Sequence, residues 1–249
     1  MKSSQREGRE AMTSIDLKKI NQLLSQCSRE EQHEMMRILR QEFPIHGLER
    51  KLNISAEVIL EAIDRSSDLT LRGVRGVIAE AAFKEYIVMP LVERGWKDLP
   101  INGNPSFDFL LGTPSGLETK IQVKMQRKKN QLPMRAAAAN KTLFGTATEM
   151  WVVETQKTRG GKDSTGKATR PYRFGEFDII AVSLHPSSND WSQFRYTVAK
   201  WLIPDPKDSE QIFKFQPVAM APNDDWTDSL ETCVGWLESR RSKTIRATN

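Results

Sequence analysis

The sequence predicts an α/β domain of the α+β kind, a central mixed β-sheet flanked by helices and preceded by a helical N-terminal region. Three observations carry this. Apolar residues in the first third recur at helical spacing behind good capping residues. Phe107 to Leu111 and Leu117 to Met125 flank the turn Gly112-Thr113-Pro114-Ser115-Gly116 and read as a hairpin. Trp151 to Glu154 and Phe177 to Leu184 are near-continuous apolar runs, as expected of central strands. The expected division is residues 1–68 for the helical region and 69–249 for the sheet-bearing domain.

Ser14 caps a first helix carrying Ile15, Leu17, Ile20, Leu23 and Leu24. Ser28 opens a second, with Glu31 three residues on completing a capping box, and Pro44 ends it. From Ile45 to Arg65, two short amphipathic segments meet at a turn before Ser55, a spacing that resembles a helix-turn-helix. Thr70 is placed to cap a helix over Leu71 to Val88. Apolar residues cover most of its circumference, so it should be largely buried. Glu80 and Glu85 lie within it, and a buried carboxylate is costly unless it is paired or binds a metal. After the hairpin and the two central strands come a strand candidate at Phe194 to Leu202 and a final helix at Asp225 to Glu238. The tail beyond carries Arg240, Arg241, Lys243 and Arg246 and reads as frayed.

Charge is distributed unevenly. The net charge is +5, yet Lys120 to Gly175 alone holds thirteen basic residues against three acidic ones. A polyanion suits such a patch, because neutralising phosphates releases condensed counterions. No apolar run is long enough to span a membrane, and the charged N-terminus lacks the apolar stretch of a secretory signal, so the expected setting is the cytoplasm. Cys27, Cys233 and the three histidines have no metal-ligand spacing, which argues against zinc.

The hairpin carries the chemistry. In a strand, residues i and i+2 share a face about 7 Å apart, so Gln122 and Lys124 project together while Ile121, Val123 and Met125 turn to the opposite face. If the two strands pair, Asp108 reaches the same side. An acid, an amide oxygen and an ammonium in one cleft suit phosphodiester hydrolysis. Hard oxygen ligands hold Mg2+, and a lysine beside the attacking water stabilises developing negative charge. Glu118 is on the same strand face, but roughly 13 Å from Gln122.

These residues resemble the PD-(D/E)xK nucleases, a superfamily that includes most type II restriction endonucleases and archaeal Holliday-junction resolvases. The matching residues are P-S-F-D from Pro105 to Asp108 and Q-V-K from Gln122 to Lys124. GVIAE from Gly76 to Glu80 is similar to the helix before the hairpin. The likeness covers roughly Leu71 to Lys129. It departs from the family at Gln122, where Glu or Asp is usual and where a neutral amide binds a divalent cation more weakly.

The resemblance implies a restriction-endonuclease-like core and a catalytic set of Glu80, Asp108, Gln122 and Lys124, with Glu85 as the alternative helix acid. Asp108 and Gln122 would be the metal ligands, with Mg2+ as cofactor. It implies double-stranded DNA as partner and a homodimer as the default assembly. Candidate DNA contacts are Gln126, Arg127, Lys128, Lys129 and Arg135, followed by Gln156, Lys157, Arg159, Lys162, Arg170 and Arg173 in and after a Gly- and Lys-rich loop expected to order on DNA. A type II restriction enzyme is the leading reading. A junction resolvase of the same fold and a non-catalytic helix-turn-helix regulator are the alternatives.

Overall fold

The computed structural model describes residues 18–42, 46–145, 149–157, 160–161, 166 and 169–246. The expected cap at Ser14 with Ile15 and Leu17, the stop at Pro44, and the candidate contacts Arg159 and Lys162 lie outside the described residues. The chain divides into two compact units, Met1–Ser66 and Ser67–Asn249.

In the first unit, α1 (residues 18–26) is followed by α2 (Arg29–Glu42). The Ser28 capping box forms as expected: Glu31 N–H donates to Ser28 Oγ at 3.2 Å, and Ser28 N–H donates to Glu31 Oε2 at 2.8 Å. Next come α3 (Gly47–Leu52) and α4 (Ala56–Asp64). His46 caps α3 through Nδ1, and the carboxylate of Glu49 accepts from both His46 N–H and Ala56 N–H, tying the two helices across the turn. Asn53 ends α3 in the left-handed region at φ +52°, which asparagine tolerates better than most residues.

The second unit opens with α5 (Asp68–Phe83). Its N-cap is Ser67 rather than Thr70; Ser67 Oγ accepts from Thr70 N–H, so the helix starts a turn earlier than its apolar pattern suggested. The helix is also not buried all round. Ala79, Ala82 and Phe83 form one buried stripe, while Val77 is 63% exposed. Lys84–Val88 then widens into a π-turn leading to α6 (Met89–Glu93). Pro90, just past the π-turn, has no N–H to continue the α-helical pattern.

The main sheet has five strands: β1 (Lys97–Leu99), β2 (Phe109–Gly112), β3 (Glu118–Met125), β7 (Ile179–Ser183) and β8 (Phe194–Val198), in the order β1-β2-β3-β7-β8. Only β3–β7 is parallel. The sheet is mixed and flanked by helices, as the sequence predicts. All of β7 is buried, which explains its unbroken apolar run. A short α9 (His185–Ser188) links β7 to β8; α5 packs on β3 and α10 (Leu230–Glu238) on β8. Phe83 joins α5 to the sheet, with its ring 5.0 Å from Phe109 and edge-on to Phe194 at 5.3 Å.

Between β3 and β7 lie a hairpin of β4 (Lys128–Lys129) and β5 (Leu132–Pro133), the short helices α7 (Ala136–Ala139) and α8 (Lys141–Phe144), and β6 (Met150–Glu154). Expected as a central strand, β6 instead pairs outside the main sheet with β11 (Phe215–Ala219), which follows a hairpin of β9 (Pro204–Asp205) and β10 (Asp208–Ile212). Its apolar run reflects burial of Val152 and Val153 against the rest of the core. The expected strand at Phe194 to Leu202 stops at Val198 and turns into a 3-10 segment, Ala199–Trp201. The final helix begins at Leu230, capped by Ser229, rather than at Asp225. The tail is tied down as far as it is described: Ile245 is buried, and Asp225 accepts from Lys243 Nζ at 2.7 Å and from Arg246 N–H at 3.0 Å.

Candidate active site

Asp108 immediately precedes β2, and its N–H donates to Ile121 O on β3 at 2.9 Å, which sets the carboxylate level with Gln122. Asp108 Oδ2 accepts from Val123 N–H at 2.8 Å and from the side-chain amide of Gln122. Burial pushes the Asp108 carboxyl above its ordinary value, against the lowering effect of the Val123 N–H, the Lys124 charge and the Gln122 amide.

Lys124 follows Gln122 on β3, and the alternate residues Ile121 and Val123 are buried in the core. Burial lowers the pKa of its ammonium, while Asp108, Glu80 and Glu154 act to raise it. Its Nζ lies 5.1 Å from the centroid of the Tyr172 ring. Glu80 sits one turn before Phe83 on α5. Burial, then repulsion from Asp108, raises its carboxyl pKa to about 7, with Lys124 opposing. Glu85 is exposed on the π-turn. The structure therefore brings Glu80, Asp108, Gln122 and Lys124 together and leaves Glu85 out.

The donor set suits a hard divalent cation. Glu80 and Asp108 supply carboxylate oxygens, Gln122 can supply an amide oxygen, and the cluster contains no soft ligand. As it stands, Gln122 gives its amide nitrogen to Asp108 and to Val123 O at 3.1 Å. Among the described residues no three His, Cys, Asp or Glu side chains are grouped to hold a metal. Water and phosphate oxygens would complete the shell, as magnesium commonly requires.

The candidate DNA contacts separate into groups. Gln126 has no exposed surface, and among the described residues its amide finds no hydrogen-bond partner, so its side chain cannot meet a duplex in this conformation. Arg127 is paired with Glu154, Lys157 with Glu176, and Arg173 with Glu210 at 3.0 Å and Asp208 at 3.5 Å. These three are tied to acids within the fold. Lys128 and Lys129 form β4, where Asn130 and Gln131 turn the hairpin with φ of +51° and +63°. Arg135 lies over Trp151, 4.4 Å from its centroid. Gln156 bridges to Pro171, and Lys157 N–H donates to Arg170 O, so the base of the basic loop is already a ribbon.

The sequence reading missed Tyr172, Glu154 and Glu176. Each reaches the site through pairings distant in sequence. Glu154 ends β6, whose Val153 bridges to Gln126 just past β3, and Tyr172 lies between Pro171, which bridges to Gln156, and its own backbone bond from Ile212 N–H. The aromatic residue shortly before FDII was the available signal.

No family model and no curated protein matches the chain. Among solved structures, the bacterial homing endonuclease I-Ssp6803I is similar over 70% of this chain and 96% of its own, with 18% identity and a TM-score of 0.37.

Proposed function

We propose that this chain is a magnesium-dependent endonuclease that hydrolyses double-stranded DNA at specific sites, in the manner of a type II restriction enzyme. The observation supporting it is the convergence of Glu80 from α5, Asp108 from the start of the hairpin, and Gln122 and Lys124 from its second strand. A solvated surface has no need of two carboxylates beside a half-buried ammonium; a phosphodiester hydrolase does.

In this reading Asp108 and Glu80 would hold the cation, with Gln122 Oε1 completing the protein's share. Magnesium, when bound, offsets phosphate charge and lowers the pKa of the attacking water. Glu80 would have to be ionised to serve as a ligand. Lys124 donates hydrogen bonds to the incoming water or to a non-bridging phosphate oxygen, stabilising charge that grows as the bond to the leaving oxygen breaks. The adjacent Lys128, Lys129, Arg135 and Arg170 supply phosphate contacts along the duplex.

The test is incubation of a large defined DNA with the parent protein, Lys124→Ala and Asp108→Asn, with magnesium and with a chelator. Discrete fragments from the parent that vanish in both variants and with chelator support the proposal. Cutting confined to branched DNA would move the assignment to a structure-specific nuclease. Tight DNA binding without any cleavage would overturn the catalytic reading in favour of a regulator.

A further inference from the structure

The ammonium of Lys124 stands over an aromatic ring, and so does a second one. Lys124 Nζ is 5.1 Å and Lys157 Nζ 5.3 Å from the Tyr172 centroid. Tyr172 is 4% exposed and packs edge-on to Phe177, with centroids 5.2 Å apart at 88°. The ring is therefore held on its apolar side.

Its flanks are held by one acid. Glu176 accepts from Lys157 Nζ, from Ser106 Oγ at 2.8 Å and from Arg173 N–H at 2.7 Å. Those donors lie on three segments: the entry of the basic loop, the residue after Tyr172, and the chain two residues before Asp108. A single half-buried carboxylate thus fastens the ring's own backbone and the approach to Asp108 to each other.

We infer that Tyr172 is a positioning residue for Lys124, its ring face setting where the ammonium stands relative to Asp108, with Glu176 fixing the ring in turn. An ammonium stripped of water is drawn to the negative face of an aromatic ring, and that attraction grows as solvent is excluded. A flexible four-carbon side chain needs such a restraint if its charge is to be in place before the reaction. The inference rests on the proposed nuclease reading for its catalytic consequence, but the restraint itself belongs to the free protein.

The test compares the parent with Tyr172→Phe, Tyr172→Leu and Tyr172→Met. In protein free of metal and DNA, the ring current should shift the Lys124 ε-methylene NMR signals upfield in the parent and in Tyr172→Phe, and the shift should disappear in the other two. With saturating DNA and magnesium, Tyr172→Phe should retain most of the single-turnover cleavage rate. Tyr172→Leu and Tyr172→Met should lose roughly 10-fold, the scale of one desolvated cation–ring contact. DNA affinity measured with calcium in place of magnesium should stay within about 2-fold, since the ring contacts the lysine and not the duplex. Met fills the site flexibly and serves if the Leu variant fails to fold.

Unshifted Lys124 signals in the parent, or leucine and methionine variants that cleave at the parent rate, would overturn the inference. If the parent does not cleave DNA at all, the nuclease reading falls while the NMR comparison still decides whether Tyr172 holds Lys124.

Discussion

The side-chain amide of Gln122 donates to the carboxylate of Asp108, so the two residues proposed to share a cation are bonded directly to each other. The amide is almost wholly buried and the carboxylate is partly so. This contact satisfies Asp108 in the free protein, and it gives Gln122 a role that an acid at the same position could not fill while ionised.

Replacing Gln122 by Glu therefore trades a hydrogen bond for a like-charge contact. Without divalent cation, Gln122→Glu should unfold about 1–3 kcal/mol more easily than the parent at pH 8. Magnesium should raise its melting temperature by more than it raises the parent's, because the added carboxylate strengthens the site in the native state only. Thermal unfolding with and without magnesium checks both; equal magnesium shifts in the two proteins would remove Gln122 from the cation site.

Asp108→Asn should abolish cleavage while leaving the fold as stable as the parent or more so. Burial already disfavours the Asp108 charge, and an asparagine oxygen still accepts from Val123 N–H. Denaturant unfolding alongside the cleavage assay tests the pair of outcomes. A large loss of stability would reassign Asp108 to a structural role.

The Glu80 carboxyl, raised to about 7 from 4.5, makes a signed prediction for the metal-free protein. A raised folded-state value means that protonated Glu80 favours the native state. That contribution is full below the unfolded value near 4.5 and is lost as pH rises through about 7. Glu80→Gln removes the dependence, so the variant should gain on the parent between pH 4.5 and 7 and stay ahead above. A shift of this size corresponds to about 3 kcal/mol unscreened; Glu80 is only half-buried, so the observed gain should be about 1 kcal/mol. Urea unfolding across the pH range reads it out, and parallel curves for the two proteins would contradict it.

The basic residues should fall into two classes. Lys129→Ala and Arg170→Ala, at exposed positions, should each reduce the slope of log affinity against log salt by about 0.9 while leaving stability unchanged. Arg127→Ala breaks the pair with Glu154, leaving that acid to Lys214 Nζ at 3.5 Å, and should alter stability more than the salt slope. Salt titrations of DNA binding, paired with melting curves, separate the classes. A full unit of slope lost in Arg127→Ala would show that the arginine leaves its acid for phosphate.

Much of the hairpin was legible because its information is local. The alternation of IQVK, the turn at Gly112 to Gly116 and the Asp108 position all follow from a two-residue period and short-range turn chemistry. The Ser28 capping box was legible for the same reason, since three residues suffice to define it. The Thr70 cap was misassigned because Ser67 offers the same chemistry three residues earlier, and only the backbone decides between them.

Read along the chain alone, Gln122 and Lys124 share a strand face, a helix bearing Glu80 and Glu85 precedes the hairpin, and positive charge concentrates after it. Long-range contacts select Glu80 over Glu85, seal Gln126 inside, bring Arg127, Lys157 and Arg173 to acids, and set Tyr172 beside Lys124. The reason is range. Periodicity along a chain reports which way neighbouring side chains point, whereas pairing of β3 with β7 and of β6 with β11 sets which distant segments share a surface, and no local pattern encodes that choice.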